Sequence, residues 1–331
     1  METFNMKKLR AWLLASLCCL AAPVAVMAQA QANWPSKPIR LISPFPAGGT
    51  TDQLARMVAP ALSQALGTSV IVENRAGGNG SIGTGIAAKS PPDGYTFVFV
   101  FDTHGTNPSL IPNMSFDTRT ELTPVMLIAT GAMVITAHKS QPVRTFEELM
   151  KTANAGAGGI SYGTIASGSL AHLAMTSLAA QLKFRATHVP YKGGGPLAID
   201  AVAGHVPYAV ATTALFSQHI RSGALIPLAV TSSTRDPVLP NVPTLAELHL
   251  PGFEAAAWWG VFAPAKTPPE IIGRVYKELS IIFNDPQNKE KLAAQGMNLK
   301  VAPPEQLGKF LDDQIVQWSK VIKEHNIRAG D

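Results

Sequence analysis

The sequence contains very little cysteine, and both residues lie near its beginning. Cys18 and Cys19 are the only 2 cysteines, so the rest of the chain has no disulfide and no thiol chemistry. Charged residues make up only 15% of the sequence, and no cluster of like charge indicates a nucleic-acid surface. After the N-terminal segment, no unbroken apolar run reaches the roughly 18 residues that suggest a membrane span. We therefore expect a body that is not membrane-embedded and does not bind nucleic acid.

The N-terminus has the pattern of a cleavable secretory signal. Three basic residues, Lys7, Lys8 and Arg10, precede a short apolar stretch at 11–22, and small residues at 26–28 suit cleavage. Leu17 stands before Cys18, where a lipid-modified cysteine prefers a small residue, so a lipid anchor is disfavoured. No twin arginine is present, which favours export of an unfolded chain. The sequence predicts a signal peptide at 1–28 and an exported mature protein.

The remaining chain alternates between β-rich apolar runs and helix-patterned segments, which favours an α/β fold with mostly parallel sheets and helices on both faces. The C-terminal part is predicted to be helical, and each of its helices opens with a proline. The main strand candidates are 40–44, 69–73, 96–101, 125–128, 133–137, 160–162, 187–189, 208–211, 228–231 and 259–263; the main helix candidates are 51–66, 81–89, 145–153, 170–183, 196–203, 214–222, 268–284, 286–294 and 304–325.

No long linker or repeat divides the chain, so we expect two lobes joined by two crossings. Lobe 1 is predicted to comprise residues 29–128 and 253–331, and lobe 2 residues 129–252. Open α/β sheets bind ligands at the carboxyl ends of their strands. A ligand is therefore expected in the cleft between the facing lobes.

Two loops of small residues offer neutral hydrogen-bond donors. The first, Pro46–Asp52, joins a buried strand to a helix, and the second, Thr164–Ser169, precedes a helix at about Leu170. Helix N-termini present unpaired N–H groups and the positive end of the dipole, which attract anions. Stripping a carboxylate of water costs several kcal/mol, and each hydrogen bond to a charged group returns roughly 1.5–3 kcal/mol. The pair predicts a carboxylate site that needs no arginine.

Other loop residues have less specific patterns. Thr103 and His104 follow a strand and are candidates for the cleft, although a hydrogen-bonded loop histidine is the more ordinary interpretation. Tyr191 is a candidate wall for an apolar ligand body. Trp258 and Trp259 suit core packing or a hinge near the return crossing.

Enzyme interpretations rest on weaker patterns. Residues 78–83 formally match the dinucleotide-binding G-x-G-x-x-G pattern, but glycine is so dense here that a chance match is easy. Ser167 or Ser169 with His172 would give a nucleophile and a base, without an evident third group. The histidines lack metal-ligand spacing. No cofactor and no metal are expected.

Eight motifs give the chain a resemblance to a known family. They are Trp34-Pro-Ser-Lys-Pro-Ile-Arg-Leu-Ile, Pro44-Phe-Pro-Ala-Gly-Gly49, Val72-Glu-Asn-Arg-Ala-Gly-Gly78, Pro92-Asp-Gly-Tyr95, Val189-Pro-Tyr-Lys-Gly193, Leu228-Ala-Val-Thr231, Leu239-Pro-Asn-Val-Pro-Thr244 and Pro251-Gly-Phe253. In these motifs the chain resembles the Bug family, the periplasmic substrate-binding receptors of tripartite tricarboxylate transporters. The resemblance covers nearly the whole mature chain.

The resemblance implies a two-lobed periplasmic binding protein of the Venus-flytrap, type II-like class, with two mostly parallel sheets and no catalysis. Such a receptor captures a small organic carboxylate, a di- or tricarboxylate or an aromatic acid, for membrane transporter subunits. A sensor-kinase adaptor and a secreted hydrolase remain alternatives, and a monomer is expected. The implied ligand-binding residues are Phe45, Ala47, Gly48, Gly49, Thr50 and Asp52 in the first loop, and Thr164, Ala166, Ser167, Gly168, Ser169 and His172 in and after the second.

One departure from the family pattern concerns selectivity. Many relatives resemble a Phe-Asp pattern after the strand near Tyr208, whereas this chain has Tyr208-Ala-Val-Ala-Thr-Thr213. A ligand ammonium would therefore lack its acidic partner. We expect a ligand other than an amino acid.

Overall fold

The structure is a computed structural model that describes residues 34–155 and 158–328; the predicted signal peptide lies outside the described residues. Across these ranges the chain forms ten strands, β1–β10: Ile39–Ser43, Val70–Asn74, Thr96–Phe101, Leu122–His138, Ile160–Thr164, Ala186–Pro190, Tyr208–Thr212, Leu225–Val230, Ala256–Pro264 and Met297–Ala302. The same ranges contain ten α-helices, α1–α10: Thr50–Leu66, Ser81–Ala88, Thr103–Leu110, Phe146–Ala155, Leu170–Leu182, Gly194–Ala203, Thr213–Arg221, Pro269–Asn284, Pro286–Ala293 and Pro304–Glu324. None of these helices is long and apolar enough to cross a bilayer.

The strands join in the order β2-β1-β3-β9-β4-β7-β5-β6, with β8 and β10 also pairing with β4. The α/β two-lobed class is confirmed, but the sheet arrangement differs from the two mostly parallel sheets that we predicted. Pairs of β1 with β2 and β3 and of β5 with β6 and β7 are parallel, whereas every pair made by β4 or β9 is antiparallel. The difference arises because β9 returns between β3 and β4 in antiparallel orientation, and β4 pairs with strands of both halves and so joins them into one mixed sheet.

Strand β4 is continuous through the predicted crossing between the lobes. The sequence predicted two separate strands, at 125–128 and 133–137, on either side of the predicted lobe boundary. Instead, the first half of β4 pairs with β9 and β10 and the second half with β7 and β8. Gly131 lies inside the strand because the Trp259 ring packs there, and a Cβ atom would lie 3.2 Å from two of its ring carbons.

Both faces of the sheet are buried, as the apolar runs predicted. Phe97 and Phe99 of β3 pack in the larger core, whereas the alternate residues Val98 and Val100 pack in a second cluster. The segment after β3 was predicted as a loop, but it forms α3 despite containing Gly105 and Pro108. Close packing against α10 overrides its weak helix propensity, since a Cβ atom on Gly105 would lie 3.2 Å from Gln314.

Candidate functional site

A cavity lies where β1, β3, β5 and β7 end, between the two predicted lobes. The space that a water molecule can enter is only about 20 Å³, so the cavity is narrow in this conformation. The lining residues are Phe45, Gly49, Thr50, Thr51, Phe101, Met133, Ile165, Ser169, Ala171, Gly194, Ala211, Thr212 and Leu215.

Four of the described helices begin at this cavity. The lining includes Gly49, the residue before α1; Ser169, the residue before α5; Gly194, the first residue of α6; and Thr212, the residue before α7. The first N–H groups of a helix have no partner within it, and each N-terminus carries roughly +0.5 of an elementary charge. The convergence therefore favours an anion without any cationic side chain.

Asp52 stabilises the first loop through hydrogen bonds to its carboxylate. Its carboxylate accepts hydrogen bonds from the Gly48 N–H at 3.0 Å, from Arg56 Nε at 2.9 Å and from Asn74 Nδ2 at 2.8 Å. Burial raises the pKa of this carboxyl, but the bonds from Arg56, Gly48 and Asn74 outweigh it and hold the pKa below its usual value. Because the Gly48 N–H is used within the loop, the donors remaining for a ligand begin at Gly49.

An aromatic wall supports the first loop. Phe45 packs edge-on against Phe101 with ring centroids 6.3 Å apart, and Phe101 packs against Trp259 at 5.3 Å. The indole N–H of Trp259 donates to Thr50 Oγ1 at 2.9 Å. Since that bond occupies a lone pair of the hydroxyl and not its proton, Thr50 still has an O–H to donate into the cavity.

The second loop uses most of its own polar groups. The Gly168 N–H donates to His172 Nδ1 at 2.9 Å, and Ser169 Oγ accepts from the His172 N–H at 3.4 Å. Ser169 Oγ donates to Thr164 Oγ1 at 3.3 Å, so this proton does not go to an imidazole as a hydrolase would need. His172 stacks on His188 with ring centroids 3.9 Å apart. These contacts hold the second loop beside the N-terminus of α5.

Thr212 and Gly194 line the cavity but were absent from the residues predicted as the site. Thr212 Oγ1 accepts from the Leu215 N–H at 3.2 Å and, like Thr50, keeps its proton for another acceptor. A recognisable signal was present for both, because Thr212-Thr213 and Gly193-Gly-Gly195-Pro each separate a strand from a helix. Only the folded chain brings these N-termini to the same cavity as α1.

The two predicted lobes touch across the cleft. Thr106 Oγ1 donates to the Gly168 carbonyl at 3.0 Å, and the Asn79 amide donates to the Ser167 carbonyl. On another side, a Cβ atom on Gly195 would lie 2.5 Å from the Ala47 carbonyl oxygen. These contacts join segments of the two predicted lobes beside the cavity.

The predicted site residues divide between the cavity, its margins and the surrounding structure. Phe45, Gly49, Thr50 and Ser169 line the cavity. Ala47 and Gly48 line an outer groove, and Ala166 and Tyr191 line another. Beyond these, Asp52, Thr164, Ser167, Gly168 and His172 lie within the loops and helices that shape the walls.

Thr103 and His104 do not line the cavity, in contrast to the prediction, because they belong to α3 and not to a loop. His104 packs against Phe262 with ring centroids 4.9 Å apart, and burial lowers its pKa to about 3. The neighbouring Asp102 is also buried, and this raises the pKa of its carboxyl well above the usual value. Tyr191 donates its phenol to Asp200 at 3.0 Å, so it is anchored at the margin of the cleft.

Comparisons with known proteins agree with this geometry. The family model described as "Tripartite tricarboxylate transporter family receptor" matches residues 54–327. Protein BugT of Bordetella pertussis is 34% identical over 307 residues, which cover 92% of this chain and 93% of that protein. The structure of the periplasmic binding protein BugD superposes with a TM-score of 0.85 at 33% identity, covering 89% of this chain and 99% of that one.

A structure of R. palustris Rpa4515 with adipate is similar to the same degree, with a TM-score of 0.85, 33% identity and the same coverage of 89% and 99%. The family model spans most of the described chain, and BugT is similar over nearly its full length. The chain therefore belongs to the Bug family of periplasmic solute-binding receptors for tripartite tricarboxylate transporters.

Proposed function

We propose that this receptor captures a small organic carboxylate between its lobes in the periplasm and delivers it, as a monomer, to the membrane subunits of a tripartite tricarboxylate transporter. One observation carries the proposal: four helix N-termini converge on a single cavity between the predicted lobes. The adipate-bound relative supports a carboxylate ligand. We also propose that the chain carries a cleavable signal peptide and has no catalytic activity.

The proposed contacts come from both lobes. Lobe 1 contributes the first N–H groups of α1 and the Thr50 hydroxyl, and lobe 2 contributes the N-termini of α6 and α7 and the Thr212 hydroxyl. A ligand held by donors on both sides binds the closed form better than the open form, so it shifts the population toward closure. Release follows when docking on the transporter separates the lobes, because neither half of the donor set holds the carboxylate as well alone.

The proposal is tested with purified mature protein and a panel of carboxylates, each paired with its uncharged amide. We expect one or more acids to raise the melting temperature with increasing concentration, to be recovered unchanged, and to lose this effect as the amide. Turnover of the bound acid would contradict a receptor, and no response to any carboxylate would contradict the ligand class.

Thr212→Val provides the residue-level test, and the chain supplies a matched control. Thr145 Oγ1 also accepts an N–H at a helix start, that of Glu148 at 3.2 Å, but Thr145 is exposed and away from the cavity. Each valine loses a helix cap worth about 1 kcal/mol. Only Thr212→Val should also lose a bond to the carboxylate worth about 1.5–3 kcal/mol, which weakens binding by about 10- to 150-fold. Equal affinities of the two variants would contradict the assigned role of Thr212.

A further inference from the structure

The wall around the cavity presents hydrogen-bond donors, and the carbonyls of its second loop already accept from the protein. All five carbonyls of the segment 164–168 accept from the protein: their donors are, in order, the Tyr191 N–H, the Gly193 N–H, Thr164 Oγ1 with the Ser169 N–H, the Asn79 amide and Thr106 Oγ1. Each of these carbonyls thus has at least one partner within the protein, and of the five residues only Ile165 lines the cavity.

The threonine hydroxyls that line the cavity also have a proton to donate. Thr50 Oγ1 accepts from Trp259 and Thr212 Oγ1 accepts from Leu215, so each uses a lone pair and retains a proton. The helix N-termini add only N–H groups. Of the described residues that line the cavity, none is acidic or basic. The site thus offers many donors and no carboxylate side chain.

The rest of the cavity wall is hydrocarbon. Phe45 and Phe101 form one side, and Met133, Ile165 and Leu215 contribute further apolar surface. A ligand hydroxyl or ammonium buried against this surface would give up its hydration without gaining an acceptor. An unpaired buried polar group weakens binding by about 5- to 150-fold, and a charged group by more.

We infer that the ligand is a carboxylate whose body carries no hydrogen-bond donor: an unsubstituted aliphatic or aromatic acid, and not its hydroxy or amino derivative. The inference rests on the proposed function and narrows its substrate class. Carboxylate oxygens are acceptors only, so they match the donors of the wall, and a plain hydrocarbon body matches Phe45, Phe101 and their neighbours. Selectivity of this kind rejects a ligand through the groups that it leaves unpaired.

Two matched series of acids test the inference by calorimetry on the purified mature protein. Glutarate, 2-hydroxyglutarate and glutamate differ by a hydrogen, a hydroxyl and an ammonium, and phenylacetate, mandelate and phenylglycine repeat the comparison on an aromatic body. In each series that binds, we expect the unsubstituted acid to bind at least 5-fold tighter than the hydroxy acid and at least 100-fold tighter than the amino acid. The series that binds more tightly shows whether the body of the ligand is aliphatic or aromatic.

A substituted acid that binds as well as its parent, or better, overturns the inference and leaves the carboxylate receptor intact. If none of the six acids binds and no other acid of the carboxylate panel binds, the proposed function is overturned and the inference falls with it. The two failures are therefore distinct results of one experiment.

Thr212→Asp supplies the charged acceptor that the cavity lining lacks, and Thr145→Asp is its control. Aspartate is as good a helix cap as threonine, so neither variant should lose its fold, which the melting temperature checks. We expect Thr212→Asp to weaken the unsubstituted acid at least 10-fold and to reduce the preference against the amino acid, while Thr145→Asp leaves both affinities unchanged. An unaltered preference in Thr212→Asp would contradict the donor-only description of the site.

Discussion

Gly168 tests whether closure of the lobes is required for binding. Its φ of +71° is in the left-handed region, and its position faces Leu110 of lobe 1. A methyl group at Gly168 would overlap Leu110 Cδ1 and lie 2.9 Å from Cδ2 and 3.1 Å from Cγ. Gly168→Ala should therefore disturb the closed form in two ways, through backbone strain and through a collision between the lobes.

The two effects have different consequences. Backbone strain of about 1–2 kcal/mol is present in open and closed forms alike, so it lowers the free energy of unfolding without changing ligand affinity. In the proposed two-lobed receptor the collision exists only in the closed form, because Leu110 lies in predicted lobe 1 and Gly168 in predicted lobe 2. Leu110 is 3% exposed and must move as a whole, which costs about 1–3 kcal/mol. This cost should appear as an affinity weakened by about 5- to 150-fold.

Gly223→Ala separates these effects. Gly223 has a φ of +72°, nearly that of Gly168, and among the described atoms none lies within 4 Å of its added methyl. We expect both variants to lose a similar free energy of unfolding in denaturant titrations, and only Gly168→Ala to lose affinity for the tightest-binding acid of the panel. In small-angle scattering with that acid, Gly168→Ala should keep a larger radius of gyration. Normal affinity in Gly168→Ala would refute the assignment of Leu110 and Gly168 to a closing contact.

Three further predictions concern the walls of the site. Asp52→Asn should lower the free energy of unfolding by about 1–2 kcal/mol at neutral pH. Because the folded pKa of Asp52 is lowered, the stability that its carboxylate contributes is present above the unfolded pKa of about 3.9 and is lost as pH falls through the folded pKa. Acid denaturation curves should therefore show a smaller difference between variant and parent at low pH. Trp259→Phe removes the N–H donor to Thr50 and should destabilise the chain by about 1 kcal/mol or more in urea titrations, whereas an unchanged midpoint would count against that bond. Tyr191→Phe loses only the bond to Asp200 at the margin, so calorimetry should give a dissociation constant within about threefold of the parent.

The general character of the site was predictable from the sequence, because it depends on local signals. Small residues between a strand and a helix indicate an exposed helix N-terminus wherever they occur, and the segments at Gly49 and Ser169 were recognised for this reason. The same rule applied to Thr212 and Gly194 would have extended the prediction. What no local rule gives is that four separate N-termini meet at one cavity, since this depends on strand order.

The role of individual donors was not predictable for the same reason. Gly48 and Gly168 have the small size of ligand-contacting residues, but their N–H groups donate to Asp52 and His172. His104 follows the end of a strand, as a site residue would, but it belongs to α3 and its side chain packs in an apolar core beside Phe262. Spacing along the chain specifies which groups exist; only packing decides which of them remain unpaired.

Strand β4 determines how the two predicted lobes are connected. Its two halves belong to different parts of one hydrogen-bonded sheet, so the lobes are joined by a twisting ribbon and not by a free tether. Met133 lies on this ribbon, pairs with Thr212 in β7 and lines the cavity. In the proposed complex the ligand would lie against this strand. We expect opening to proceed by a change in strand twist while the amide protons near Met133 stay protected from exchange with solvent.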